Sequence, residues 1–451
     1  MKKGFFIGFI ALIMLICLAP VAAGMLGYQP RNVENRPLAR EPELINRDGL
    51  NSDFPADFDA WWEDHFGFRD ELVTVFHSFT LNLFGDTLNE KVIVGGEGFL
   101  FFDKTLDDYT GKSRLSEQEI RNCAAVLRIM SEYAQQSGAE FLFSVAPNKN
   151  TIYPEYMPER ICKRSEASNM ELLYTELSVQ GVNTLDFASL LRQEKSDGLL
   201  YYHNDTHWNE RGALLAYNAI MEQLTEDFET YENLTPTDET GYAGDLHNFI
   251  LPAAKSGFVY PKYGIPYSYT LDEGARPLQN ATFGTTSDVN AQSSLLLYRD
   301  SFGEALFPLL SSNLGRVLYS KEFPYNAALC DDGYDLVMIE LVERNIPNLL
   351  TAAPFMLGME TDCPVECTDV EYIAFSRQRN GCTQLYGCFE AKDFFRVYVE
   401  VKTGSEKRWY EAFPVCDADF AGKTPWADHG VFTLTLPLDE NASVVSVRVL
   451  G

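Results

Sequence analysis

Leu295-Leu296-Leu297-Tyr298-Arg299-Asp300-Ser301-Phe302-Gly303-Glu304 is the stretch that decides the architecture. An uninterrupted apolar run is what a strand shows when both of its faces are buried, as in a parallel sheet covered by helices. The polar step Arg299-Asp300-Ser301 ends the strand, and a helical pattern follows. A serine at such a turn holds its hydroxyl clear of the sheet. The helix N-terminus beside it offers free N–H groups and partial positive charge to a developing oxyanion. Ser301-x-x-Glu304 is also a capping box, so the same serine has a bland reading as an N-cap.

On either side of this run the chain alternates strands and helices. Ser116-x-x-Glu119 is a capping box, and Ile120, Ala124, Leu127 and Ala134 carry a helical period that ends near Gly138. A strand over Glu140–Ala146, a helix over 166–180, a strand over Val182–Asp186 and a helix from Trp208-Asn209 follow. Further strands are expected at Ser294–Tyr298, Arg316–Tyr319 and Asp335–Leu341. The alternation predicts an α/β domain over 61–355 with a largely parallel sheet, interrupted by an acidic, irregular insertion at 225–290. The last ninety residues change character. Glu371–Arg377, Phe394–Lys402, Arg408–Pro414, Val431–Pro437 and Ser443–Val449 read as strands of a small separate β-domain at 360–451. Val92–Phe101 reads as a hairpin about a Gly-rich turn, with no Gly-Lys-Ser/Thr for a phosphate.

Composition narrows the function. Of 451 residues, 46% are hydrophobic and 22% charged, which supports a sizeable core and excludes wholesale disorder. Lys+Arg number 36 against 65 Asp+Glu, a net charge of −29. That balance argues against nucleic acid and against broad adhesion to anionic lipid. Lys2 and Lys3 precede a stretch that is apolar from Gly4 to Leu26, long enough to cross a bilayer with the lysines in the cytoplasm. Residues 1–30 therefore read as an uncleaved anchor, with a signal peptide cut near Val21-Ala22-Ala23 as the rival. Both place the body outside the cytoplasm, beyond a Pro/Asn/Asp-rich linker at 31–60. Five cysteines between 363 and 416 suggest one or two disulfides. Cys363-x3-Cys367 with Cys382-x5-Cys388 is a poor fit to zinc spacing.

The second chemistry-bearing segment is Tyr201-Tyr202-His203-Asn204-Asp205-Thr206-His207-Trp208-Asn209, just before a helix. Its Asp-x-His pair suits a base and the group that orients it. His203 and His207 at i, i+4, with Asp205 or His247, offer a zinc alternative, but Asn204 stands where His-Glu-x-x-His has its glutamate. The aromatics of Phe58–Arg69 read as packing anchors. So do Trp409-Tyr410 and Trp426, for which stacking on sugar rings is the alternative.

Together these pieces resemble the SGNH-like domains of alginate O-acetyltransferase X/J proteins and the related DHHW-motif proteins. The resemblance rests on Glu34–Ala39, Asp64–Arg69, Gly98–Phe101, Val145–Pro154, Asp205–Trp208 and Arg299–Phe302, in that order. It implies a flavodoxin-like (SGNH-like) α/β fold with Ser301 as acyl-accepting nucleophile, His207 as general base and Asp205 orienting His207. Two departures stand out: Asp-x-His replaces Asp-x-x-His, and Asp-Thr-His-Trp replaces Asp-His-His-Trp. A Gly-x-Asn-Asp block is missing, which leaves Asn148 and Arg299 as candidate substrate or oxyanion donors. The implied activity is O-acetyl transfer to an exported polysaccharide, without cofactor or metal. A membrane-bound O-acyltransferase would supply the acetyl group. A carbohydrate esterase and a non-catalytic glycan-binding or scaffold protein are the alternatives.

Overall fold

The computed structural model describes the chain except residues 1, 29, 32–37, 47, 48, 164, 165, 226, 278, 416–424, 427 and 440. Most of the Glu34–Ala39 motif and Cys416 fall among those excepted residues. At its centre is a seven-stranded sheet. Its order is Thr184–Leu185, Glu140–Ala146, Leu336–Val342, Ser294–Tyr298, Arg316–Ser320, Thr282–Thr286 and Thr270–Leu271. The first five strands are mutually parallel, and the last two add an antiparallel edge. Leu295, Leu296, Leu297 and Tyr298 are fully buried, as an apolar run covered on both faces must be. The helices Glu117–Gln136 and Asn169–Val179 form one packed pair, and Glu210–Met221 and Gly303–Asn313 another. This is the expected flavodoxin-like, SGNH-like α/β fold. In such a sheet the loops beyond the carboxyl ends of the parallel strands hold the chemistry.

The segment 225–290 departs from expectation. It supplies both antiparallel strands of the main sheet, a short hairpin pairing Thr237–Thr240 with Val259–Lys262, and the helix Asp245–Ile250. Its acidic composition masks strands only two to five residues long.

At the C-terminus, Thr368–Asp369, Ser443–Leu450, Arg396–Thr403 and Glu406–Ala412 form one sheet, and Tyr372–Arg379, Cys382–Phe389 and Gly430–Pro437 a second. Leu385, Phe389, Val397, Val399, Phe432 and Val447 belong to their own core. Phe413 and Val415 instead belong to the α/β core. Buried Arg128 pairs with Glu411, and Gln118 exchanges two hydrogen bonds with the Phe394 backbone. Among the described residues the disulfides suggested by the cysteine cluster are not formed: Cys363, Cys367, Cys382 and Cys388 are free. Cys382 and Cys388 lie at opposite ends of one strand. At about 3.3 Å per residue that separation far exceeds the reach of a disulfide.

Candidate active site

Ser301 sits three residues past the strand Ser294–Tyr298, at its carboxyl end. Its turn is tied down from below. Asp300 Oδ1 accepts the Phe302 N–H (2.9 Å) and Oδ2 the Val342 N–H (2.5 Å), locking the turn to the neighbouring strand. Gly303 opens the helix because a side chain has no room there. An added Cβ would lie 2.7 Å from both Cβ and Cδ of Arg299. The helix starts without a side-chain cap, so Ser301 is not spent as an N-cap and only its carbonyl accepts from Glu304 N–H (3.2 Å). Its hydroxyl lies 2.8 Å from His207 Nε2.

His207 is held by Asp205. Nδ1 is 2.6 Å from Asp205 Oδ1, which also accepts the His207 backbone N–H (2.9 Å). With the proton on Nδ1, the Nε2 lone pair faces the serine hydroxyl. Asp205 Oδ2 accepts Tyr242 Oη–H (2.9 Å) and Asp245 N–H (3.0 Å). Burial alone would raise the Asp205 pKa, but these bonds and the charge of His207 hold its carboxyl well below the usual range. Burial would likewise lower His207, but the Asp205 hydrogen bond and charge outweigh it and raise the imidazole above its ordinary value. Trp208 Nε1–H donates to the Phe302 carbonyl (3.2 Å), fastening the histidine loop to the serine turn.

Beneath that loop lies Lys149, buried and bonded through Nζ to the carbonyls of Tyr202 (3.0 Å), His203 (3.0 Å) and Asp205 (2.6 Å). Three N–H bonds are what an ammonium supplies and one more than a neutral amine can. Burial pushes this lysine down to about 7, against the opposing pull of Asp205 and Asp245. Arg344, just beyond the carboxyl end of Leu336–Val342, lies 6.0 Å from the Phe302 ring centroid, and its charge acts on His207 and Asp300. Among the described residues its guanidinium forms no hydrogen bond or ion pair.

The two candidate donors are not brought to Ser301. The Asn148 amide donates to Asp108 (3.3 Å) and its backbone N–H to Glu343 (2.8 Å). The Arg299 side chain is 2% exposed and turned inward, donating to the Asp300 carbonyl (2.9 Å). Nor do the histidines gather for zinc. His203 stacks on Phe258 with ring centroids 4.3 Å apart, and His247 bonds the Ala254 carbonyl. Donor atoms of Asp205, His207 and Asp245 do approach within 4.8 Å of one another. Yet both oxygens of each carboxylate already accept N–H or O–H bonds, with Thr206 occupying Asp245. The arrangement suits proton transfer rather than a metal.

Four contributors escaped the sequence reading: Lys149, Tyr242, Asp245 and Arg344. Lys149 stands in the quoted Val145–Pro154 motif, and Arg344 follows a recognised strand, so both carried a positional signal. Tyr242 and Asp245 lie in the insertion, where no pattern marks them. Tyr242→Phe removes one of the two donors to Asp205 Oδ2. It is expected to cost about 1 kcal/mol, or about fivefold to tenfold in turnover of an aryl acetate, with little change in melting temperature.

The chain is similar to known proteins over part of its length. Residues 92–291 match the family described as ALGX, the SGNH hydrolase-like domain of acetyltransferase AlgX. The match takes in Asp205 and His207 and ends ten residues before Ser301. The Probable alginate O-acetylase AlgJ of Pseudomonas putida is 27% identical over 168 residues, 35% of this chain and 42% of that protein. Its Pseudomonas aeruginosa counterpart is 23% identical over 236 residues, 50% and 56% of the two chains. The chain thus spans about half the length of these relatives. Among solved structures, the O-acetyltransferase domain of Pseudomonas putida AlgJ is 22% identical and covers 57% of this chain and 92% of its own, with a TM-score of 0.36. A DHHW family protein from Eubacterium siraeum is 17% identical and covers 57% and 96%, with a TM-score of 0.40. The chain is therefore similar to the Probable alginate O-acetylases AlgJ over a third to a half of its length, and residues 92–291 are similar to the SGNH hydrolase-like domain of acetyltransferase AlgX.

Proposed function

We propose that this chain is a serine-dependent O-acyltransferase that moves acetyl groups onto a polysaccharide outside the cytoplasm, held to the membrane by its N-terminal helix. The observation that carries the reading is the continuous relay from Asp205 Oδ1 through His207 (2.6 Å) to Ser301 Oγ (2.8 Å). In this reading Ser301 Oγ attacks the acetyl carbonyl of the donor as its proton passes to His207 Nε2. The leaving group takes that proton, and Ser301 holds the acetyl as an ester. A sugar hydroxyl then gives its proton to His207 and attacks the ester, which returns Ser301 to its starting form. The Ser301 backbone N–H, unpaired among the described residues, and the Arg344 guanidinium are the groups available to the oxyanion. The relatives named as alginate O-acetylases support transfer to a sugar polymer. A membrane-bound O-acyltransferase would be the source of the acetyl group.

The anchor reading rests on the helix Lys2–Met25, whose Lys3–Met25 portion is apolar, exposed over most of its length and long enough to cross a bilayer. For the C-terminal sheets we propose a unit that extends the polymer-facing surface. Trp409 there is half-buried beneath Arg448 (5.3 Å to the ring centroid), and Trp426 is half-buried.

The test is turnover of an aryl acetate with and without acceptor oligosaccharides. Acetylated sugar is expected, at a rate unaffected by EDTA; free acetate alone would indicate an esterase, and loss with EDTA restored by zinc a metal enzyme. The pH profile checks the base. Because Asp205 raises the His207 pKa, kcat/KM should fall as pH drops through a value above the ordinary 6.5. In Asp205→Asn, which removes the carboxylate charge, the residual activity should show that limb shifted to lower pH.

A further inference from the structure

The helix after the Trp-rich segment is amphipathic the wrong way round for a soluble protein. α1 (Lys2–Met25), α2 (Phe54–His65) and α3 (Arg69–Phe84) precede the α/β body. On α3 the inward face is largely polar: Asp70, His77 and Thr80 are buried, His77 bonds Thr87 (2.8 Å), and Thr74 accepts the Ala253 N–H (2.9 Å), with Leu81 packed on the small core of Val92, Leu100, Leu246 and Ile250. The outward face is apolar. Leu72, Val75, Phe76, Phe79 and Leu83 are 42%, 67%, 49%, 61% and 59% exposed. Their spacing of three and four residues makes one stripe along the helix. Scattered exposed apolar residues are ordinary, but a full stripe backed by a buried polar face marks a surface meant for an apolar environment.

The fold also shows what that environment is. The elbow between α2 and α3 is seated on the last turns of α1. A Cβ added at Gly67 would lie 2.6 Å from Ala23 Cβ and 2.6 Å from the Pro20 carbonyl. The Tyr28 and Phe68 rings are 5.0 Å apart, Tyr28 Oη–H donates to Glu71 (2.5 Å), and Arg31 N–H to Asp70 (3.0 Å). A 24-residue helix is about 36 Å long, so Pro20–Gly24 lies at the outer boundary of a hydrocarbon core about 30 Å thick. The stripe therefore begins where the span ends.

We propose that α3 lies in the outer membrane–water interface, with its Leu72–Leu83 stripe sunk into the acyl boundary, so that the bilayer orients the α/β body as well as tethering it. The proposal rests on the reading of α1 as a retained anchor. The occupant is the lipid itself. With a net charge of −29 the chain has no general attraction for anionic headgroups, so a neutral zwitterionic surface suffices.

The test uses the full chain reconstituted into phosphatidylcholine vesicles that carry a phosphatidylcholine with a photoactivatable acyl chain. Lipid adducts are mapped by peptide. Adducts are expected on α1 and on 69–84, well above the level on the exposed surface of the helix Asn169–Val179. In Phe76→Glu/Phe79→Glu, adducts on 69–84 should fall about tenfold while those on α1 and the turnover of a soluble aryl acetate hold. Adducts on α1 with 69–84 no higher than Asn169–Val179 would overturn the proposal and leave the anchor standing. A chain recovered free of vesicles, with no adducts on α1, would defeat the anchor reading and the proposal together.

Discussion

Ser301→Ala should lose at least about 10³-fold in turnover of an aryl acetate, and His207→Ala a comparable factor. Among the described residues the serine hydroxyl has one nitrogen partner, His207 Nε2 at 2.8 Å, and no other hydroxyl bonds that nitrogen. Because the two groups act in one step, the double variant Ser301→Ala/His207→Ala should be little worse than either single change. Ser301 is half-buried at the rim of the sheet, and its hydroxyl makes no capping bond. Its replacement should therefore leave the melting temperature nearly unchanged. Activity that fell together with the melting temperature would point to a structural serine instead.

Lys149→Met should be the most damaging change away from the reacting atoms. The side chain is fully buried, and although Leu100 N–H also donates to the His203 carbonyl (2.8 Å), among the described residues no other group donates to those of Tyr202 and Asp205. Each buried carbonyl left without a donor costs about 1–3 kcal/mol, offset in part by no longer burying a charge. A net loss of about 3 kcal/mol is expected, read as a drop in melting temperature. Turnover should fall by about 100-fold, because the same loop carries Asp205 and His207 and a small misplacement of a base is costly. Methionine keeps most of the apolar stem of the side chain and removes the ammonium, which lies 5.8 and 5.4 Å from the Phe99 and Phe101 ring centroids, so the change falls mainly on the charge and its hydrogen bonds. A variant that kept both its stability and its turnover would show that the loop holds itself in place.

What the sequence made legible follows from how local each signal is. Leu295–Tyr298 and the Arg299-Asp300-Ser301 step announce a buried strand and an exposed turn within ten residues, and the structure forms both. Asp205 and His207 are two residues apart, so their pairing is also local. The carbonyl clamp of Lys149 is not local, since its partners lie more than fifty residues on. Tyr242 and Asp245 reach Asp205 from an insertion whose elements are too short to show a period. Cys382–Phe389 carries two cysteines and Gly387, which invite a disulfide or a turn. It is nevertheless a central strand, and Gly387 is there because an added Cβ would run into the neighbouring strand at Ile373. The antiparallel strand Thr282–Thr286 is hidden in the same way by Gly284, where a side chain would strike Asp272.

The central claim is that Ser301 carries the acyl group. The direct measurement is mass spectrometry of the intact chain and its peptides, acid-quenched during turnover of an aryl acetate. One added acetyl group should appear on the peptide containing Ser301, vanish on chase with acceptor sugar, and be absent from Ser301→Ala. Turnover that continues in Ser301→Ala, or an acetyl group found on another residue that chases at the rate of turnover, would contradict the account.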